Sequence, residues 1–124
     1  ILIGLVGSEM CIRDRDTADI CNQLHPQIIG ANMLTIYPNA ELYQEMQKGN
    51  WQEETEIEKY KELRTLVDNL HIPVWFAAGG ASNAIPIQGT LPRDKGKILY
   101  VLDKIIQSVK EEELRCYREN LPHL

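Results

Sequence analysis

Two short apolar runs constrain this chain more than any other feature. Residues 27–37 (QIIGANMLTIY) end at Pro38, and residues 74–78 (VWFAA) end at Gly79–Gly80. Their lengths and their Ile, Val, Thr and aromatic content predict strands buried on both faces, as in a parallel sheet. Helical sequence surrounds them. Residues 16–25 predict a short helix capped by Asp16 or Thr17, with Ile20 and Leu24 as an i, i+4 pair and His25–Pro26 as its stop. A second helix spans 41–48, with Asn39 as cap and Gly49 as terminator. The third covers 55–70, where Ile57, Tyr60, Leu63, Val67 and Leu70 recur at helical spacing. A loop is expected over 84–92. The longest helix follows, with Ile98, Leu99, Leu102, Ile105, Ile106 and Val109 as its apolar stripe, and then a charged helix over 111–120. The order α-β-α-α-β-α-α, two strands with about five helices, indicates a parallel α/β unit. Two strands do not complete an open sheet or a barrel, so this organisation predicts a piece of a larger α/β protein.

Composition narrows the function classes. The 124 residues carry a formal charge of −5, which argues against a phosphate-binding nucleic-acid module because that needs a basic face. No apolar run approaches the ~20 residues of a membrane span. The three cysteines, at positions 11, 21 and 116, fit neither a disulfide framework nor a zinc spacing. A reduced, cytoplasmic chain is the expectation.

Residues 1–15 (ILIGLVGSEMCIRDR) stand apart. They lack the basic n-region and the small-x-small cleavage site of a signal peptide. Residues 5–15 instead match, residue for residue, the translation of a widely used transposon-based sequencing adapter. On that reading 1–15 is adapter-derived, the natural sequence enters at Asp16, and an N-terminal portion is missing. Cys11 then carries no biology.

The search for chemistry is sparse. There is no Gly-x-Ser-x-Gly elbow, no His-Glu-x-x-His pair and no phosphate loop with a lysine. His25, His71 and His123 each sit at a helix end, where a cap or solvent contact is the commoner role. The acidic run Glu53, Glu54, Glu56 and Glu58 reads as a solvated helix N-terminal turn. No residue is assigned a catalytic or a metal-binding role. Two turns do better, because ligands of parallel α/β folds bind at the carboxyl ends of strands. Tyr37 and Pro38 close the first strand and mark where a cofactor edge would rest; an ordinary β-to-α turn is the competing reading. Ser82 and Asn83 follow Gly79–Gly80 at the end of the second strand. There backbone can approach a substrate closely and the side chains offer donors and acceptors; a plain tight turn is the alternative.

Taken together, IIGANMLTIYPNAELYQEMQKGNW and FAAGGASNAIPIQGTLPRDKGKILYVLDKII resemble the C-terminal part of a group of bacterial radical S-adenosylmethionine enzymes. The group is labelled as related to oxygen-independent coproporphyrinogen oxidase, or as iron-sulfur oxidoreductases. The resemblance rests on Tyr37–Pro38, Leu42, the Ser82–Asn83 turn and Gly89-Thr90-Leu91-Pro92-Arg93-Asp94-Lys95, and it covers residues 16–124. Many members carry Arg where this chain has Ala77, and Asn-His where it has Gly79–Gly80. The resemblance implies that residues 16–124 are the C-terminal part of an incomplete parallel (β/α) barrel. It implies a parent whose C-x3-C-x2-C motif, absent here, binds a [4Fe-4S] cluster. That cluster would pass an electron to S-adenosylmethionine, releasing a 5′-deoxyadenosyl radical that abstracts hydrogen from a substrate. It further implies an electron donor such as flavodoxin or ferredoxin, a late barrel strand at 27–37 ending near the adenosyl group, and no activity for this chain alone. Another parallel α/β-barrel enzyme, or a non-catalytic α/β interaction domain, are the other classes the sequence allows.

Overall fold

A computed structural model describes residues 8–121, with side chains from Ile12 onward. The first seven residues of the adapter-like segment and the terminal residues 122–124 lie outside the described residues. The described residues form five helices and a three-stranded sheet in the order α1 (Ser8–Leu24), β1 (Ile28–Gly30), α2 (Glu41–Gln47), α3 (Glu56–Asn69), β2 (Val74–Ala78), β3 (Ile87–Leu91), α4 (Lys95–Ser108) and α5 (Glu111–Glu119). The mixed α/β class and the five helices agree with the sequence reading; the sheet differs from it in three ways.

The first difference is a third strand. Residues 87–91, expected within a loop, pair antiparallel with β2, placing Val74 opposite Leu91 and Ala78 opposite Ile87. The alternation Ile-Gln-Gly-Thr-Leu between Pro86 and Pro92 is a period-two signal, and its odd members are buried while Gln88 is exposed. Second, β1 pairs parallel with β2 over only three residues, Ile28 opposite Trp75 through Gly30 opposite Ala77. Beyond Gly30 one more bond, Ala31 N–H to Ala77 O, continues the ladder. Residues 31–37 then run without regular structure. Third, the strands are buried on one face, not two. Val74, Phe76 and Ala78 point into the core, whereas Trp75 is 39% exposed and its partner Ile28 is 65% exposed. The sheet order β1-β2-β3 is mixed and open, and the described residues form no barrel.

The core lies between the covered sheet face and the helices. Phe76, Leu91, Tyr60, Val67, Leu70, Leu102 and Leu114 are fully buried there, and α3 packs chiefly on α4 and α1. α3 starts with a reciprocal capping box: Glu58 N–H donates to Thr55 Oγ1 at 3.2 Å, and Thr55 N–H donates to Glu58 Oε2 at 2.8 Å. The α4 stripe behaves as its periodicity predicts, with Ile98, Leu102 and Ile105 buried and Leu99, Ile106 and Val109 packed around them. Gly49 follows α2 at φ +77°, the left-handed position that ends a helix. The cap of α2 is Ala40 rather than Asn39.

α1 departs most from expectation. It runs unbroken from Ser8, so Asp16 and Thr17 are interior rather than capping. Ile20 and Leu24 are exposed. The helix instead meets α3 through buried Ala18 and a polar clamp: Asn22 Nδ2 donates to Asn69 O at 2.9 Å, and Asn22 Oδ1 accepts from His71 N–H at 2.9 Å.

The Gly89–Lys95 stretch is an architectural joint. A Cβ on Gly89 would stand 2.9 Å from Ile98 Cδ1 and 3.0 Å from Asp94 Cβ, so the glycine is what lets β3 lie this close to α4. Asp94 Oδ2 accepts from Thr90 N–H at 2.9 Å, tying helix start to strand end. Lys95 Nζ donates to Asp68 O and Leu70 O at 2.6 and 2.9 Å, closing the carboxyl end of α3.

Candidate functional site

Because β1 and β2 are parallel, the segment that follows β1 and the Ser82–Asn83 turn that follows β2 leave the sheet at the same, carboxyl, end. Tyr37–Pro38, expected to close the first strand, instead lies at the far end of the irregular residues 31–37, because β1 ends at Gly30. Asn83, which is buried, joins the start of that segment to the turn after β2. Its Oδ1 accepts from Met33 N–H at 2.7 Å and its Nδ2 donates to Ala31 O at 3.1 Å. The carboxamide thus supplies to residues 31–33 the donor and acceptor that a neighbouring strand would have supplied. Gly80 completes the joint: a Cβ there would fall on the carboxamide of Asn32. Both polar atoms of Asn83 are therefore engaged with backbone, and Ser82 lies half-buried beside it in the turn. Tyr37 is 47% exposed and its carbonyl accepts from Ala40 N–H at 2.9 Å, forming the turn into α2, while Pro38 is exposed.

Below this joint lies a cavity of about 420 Å³, a size suited to a small ligand. The extended segment Ala31–Asn32–Met33–Leu34 forms one wall, Leu42, Trp51 and Leu63 add apolar surface, and Glu54, Glu62 and Asp14 add carboxylates. None of Tyr37, Pro38, Ser82 and Asn83 lines it. The four residues bracket the segment that roofs the cavity rather than converging on one point.

The acidic run before α3 is not a solvated turn. Glu54 and Glu56 are buried, and Glu56 belongs to an ion network with Lys59 and Arg118. Lys59 Nζ lies 2.7 Å from Glu53 Oε1 and 3.0 Å from Glu56 Oε1, and Arg118 Nη2 lies 3.0 Å from Glu53 Oε1. Arg118 Nη1 also donates to Leu34 O at 3.1 Å, so α5 holds the far end of the segment that Asn83 holds at its start. Glu111 Oε1 and Oε2 accept from Glu56 and Ile57 N–H at 2.8 and 3.0 Å, placing a carboxylate on the amino end of α3.

Glu54 makes no ion pair in that network; its carboxyl group is instead hydrogen-bonded to that of Glu62, while Asp14 Oδ2 is buried without a partner. Burial pushes Glu62 up to about 8, helped by the charges of Glu54 and Asp14. Burial and the Glu54 charge push Asp14 up to about 6. Glu54 is raised too, again mainly by burial. Among these three carboxyl groups, Glu62 rises past neutral pH and so retains its proton there. Sequence reasoning missed all three, because α1 creates the cluster by packing against α3 and no local spacing records that contact. Residues 8–15 of the adapter-like segment form the first two turns of α1, and Asp14 belongs to them.

Among the described residues, no group of three or more His, Cys, Asp and Glu is placed to hold a metal ion. Cys21 is half-buried on α1 and Cys116 is exposed on α5, and both are free thiols. No described helix is long and apolar enough to cross a membrane. The fold and this site thus define a mixed α/β chain with a buried carboxylate cavity at the carboxyl end of a parallel strand pair. Comparison of the chain with protein-family models, with curated proteins and with solved structures finds no match.

Proposed function

We propose that residues 16–124 are the C-terminal part of a radical S-adenosylmethionine enzyme, contributing a late strand and the closing helices of an incomplete parallel (β/α) barrel. The observation that supports this most is that β1 and β2 are adjacent and parallel, and that Asn83, in the resemblance-bearing turn after β2, holds residues 31–33, which lead from β1 towards Tyr37–Pro38, at the carboxyl end of the pair. Ligands of barrel enzymes bind at that end. The open sheet face, carrying Ile28 and Trp75, corresponds to the face a barrel turns inward.

The described residues do not fit the iron-sulfur cluster that such an enzyme carries, since two separated cysteines cannot supply three converging thiolates. On this proposal the ligands lie in the parent protein outside this chain, and the Tyr37 turn and the Ser82–Asn83 turn border the cofactor and the substrate respectively. The test is to read the source locus upstream of Asp16 and to reconstitute the parent anaerobically. A C-x3-C-x2-C motif, cluster absorbance and release of 5′-deoxyadenosine are expected from the parent, and neither signal from this chain alone. A parent that binds no cluster would instead be another parallel α/β-barrel enzyme. The antiparallel β3 favours a second reading, because a hairpin that closes one side of β2 suits a self-contained, non-catalytic interaction domain. A start codon immediately before Asp16 would support that reading.

A further inference from the structure

We infer that α5 is a hinged strap that swings off the rest of the chain as a unit and opens the cleft it walls, between residues 34–36, Trp51 and α2. This goes beyond the barrel-enzyme reading and does not depend on it.

The strap is fixed by charge and by one leucine. Among the described residues of α5 only Leu114 is buried, whereas α3 and α4 each bury several side chains. Cys116 and Tyr117 are exposed. The other ties are polar: Arg118 spans Leu34 O, Glu53 and Glu56, and Glu111 accepts from the N–H groups of Glu56 and Ile57. The link to α4 supplies the hinge. Val109 and Lys110, between the two helices, are both extended, at φ −96°, ψ 134° and φ −79°, ψ 146°. A few residues at the ends of elements are enough to absorb the dihedral changes of such a swing. Elements with little buried apolar surface open at a lower free energy than the core.

The ion network does not lock the strap in place. Breaking a buried pair is costly where it leaves a charge without its counter-ion. Here Lys59, which belongs to α3, is already bonded to both Glu53 and Glu56, so neither carboxylate is orphaned when Arg118 leaves. Glu56 Oε2 is buried without a partner while α5 is docked, and undocking returns it to water. Arg118 and Leu34 O exchange their bond to each other for bonds to water. Leu114 carries the apolar cost. With α5 docked, Arg115, Arg118 and Glu119 form one wall of a cleft of about 720 Å³, opposite Ile36, Met46 and Trp51. Undocking removes that wall and bares the segment that runs from Leu34 towards Tyr37.

The test is native-state hydrogen exchange on the full chain, followed residue by residue. The Glu56 and Ile57 amides report docking directly, because their acceptor is Glu111 on α5. Val67 and Leu102, buried in α3 and α4, report the core. After correction for intrinsic rates, Glu56 and Ile57 should exchange at least about tenfold faster than Val67 and Leu102. Their protection should stay nearly flat in low urea, since undocking one helix exposes little surface, while protection of the core falls steeply. The Tyr117 and Arg118 amides should share the lower protection, because a helix of 9 residues melts once unsupported. Leu114→Ala touches neither reporter's hydrogen bond, yet it should speed exchange at both by at least about tenfold. Exchange at Glu56 and Ile57 that matches Val67 in rate and urea slope would overturn the strap, because α5 would then leave only with the whole fold. Core-like protection of Tyr117 and Arg118, or reporters unmoved by Leu114→Ala, would also overturn it, leaving a local fraying of α3. The exchange pattern of the unmutated chain decides the matter even if the variant fails to fold. A parent without cluster chemistry leaves this result untouched, so the two proposals fail separately.

Discussion

Asn83 stands in for a missing strand neighbour of Met33. The carboxamide oxygen accepts from Met33 N–H at 2.7 Å, and the same side chain returns a donor to Ala31 O at 3.1 Å. One side chain therefore satisfies backbone that β1, only three residues long, leaves unpaired. Replacing it with alanine strands a buried donor and weakens an acceptor, at about 1–3 kcal/mol for an unsatisfied buried group. Asn83→Ala should lower the urea midpoint accordingly. Asn83→Asp keeps an acceptor for Met33 N–H but sets a buried carboxylate against Ala31 O, so at neutral pH it should destabilise at least as much as alanine. Equal stability of all three would remove the clamp from this account.

The glycines on either side of this joint should respond differently to a methyl group. At Gly89 the new Cβ meets Ile98 and Asp94 Cβ, parts of the packed β3–α4 contact. Overpacking of that kind costs typically ~1–3 kcal/mol. At Gly80 the new Cβ meets only the carboxamide of Asn32, an exposed residue that can rotate away. Gly89→Ala should therefore destabilise clearly more than Gly80→Ala in parallel denaturation curves, and Asn32→Gly should rescue the latter but nothing should be gained from it in the former.

These contrasts show what local sequence could and could not reveal. The helices α3 and α4 were legible because a 3.6-residue apolar stripe and the Thr55–Glu58 box are written in consecutive residues. β3 was legible in principle, since Ile87, Gly89 and Leu91 alternate with Gln88 and Thr90; the flanking prolines and the glycine made the stretch resemble a loop. The early end of β1 was not legible. Residues 31–37 have strand-like composition, and the reason they leave the sheet is Asn83, fifty residues beyond Met33. The carboxylate cavity was hidden for the same reason, because Glu54 and Glu62 meet Asp14 only through the packing of α1 on α3.

The open sheet face should drive self-association. Ile28 and Trp75 are paired across the strands, both are exposed, and among the described residues β1 presents an unpaired edge beside them. Apolar surface next to a free strand edge is a template for contact with another chain. Sedimentation velocity should show association that grows with concentration, and Trp75→Lys should reduce it by placing a charge at the centre of the face. Strict monomers with a sharply cooperative unfolding transition would instead favour the self-contained domain.

The pH dependence of stability follows from the carboxylates facing the cavity. Glu62 at about 8 and Asp14 at about 6 both lie above their ordinary values in the folded chain. A carboxyl group with a raised folded value binds more protons in the folded than in the unfolded state between the two values. Its contribution is thus fully present below about pH 4 and is lost as pH rises through the folded value. Thermal midpoints should accordingly fall between about pH 5 and pH 8, the reverse of a protein held by ionised salt-bridging carboxylates over that range. Glu62→Gln removes the group with the larger rise while keeping its shape, and should flatten the upper part of the fall, from about pH 6 to 8. Asp14→Asn should flatten only the lower part. A stability profile that rises from pH 5 to 8, or one that Glu62→Gln leaves unchanged, would mean that these carboxylates are better hydrated than their burial indicates.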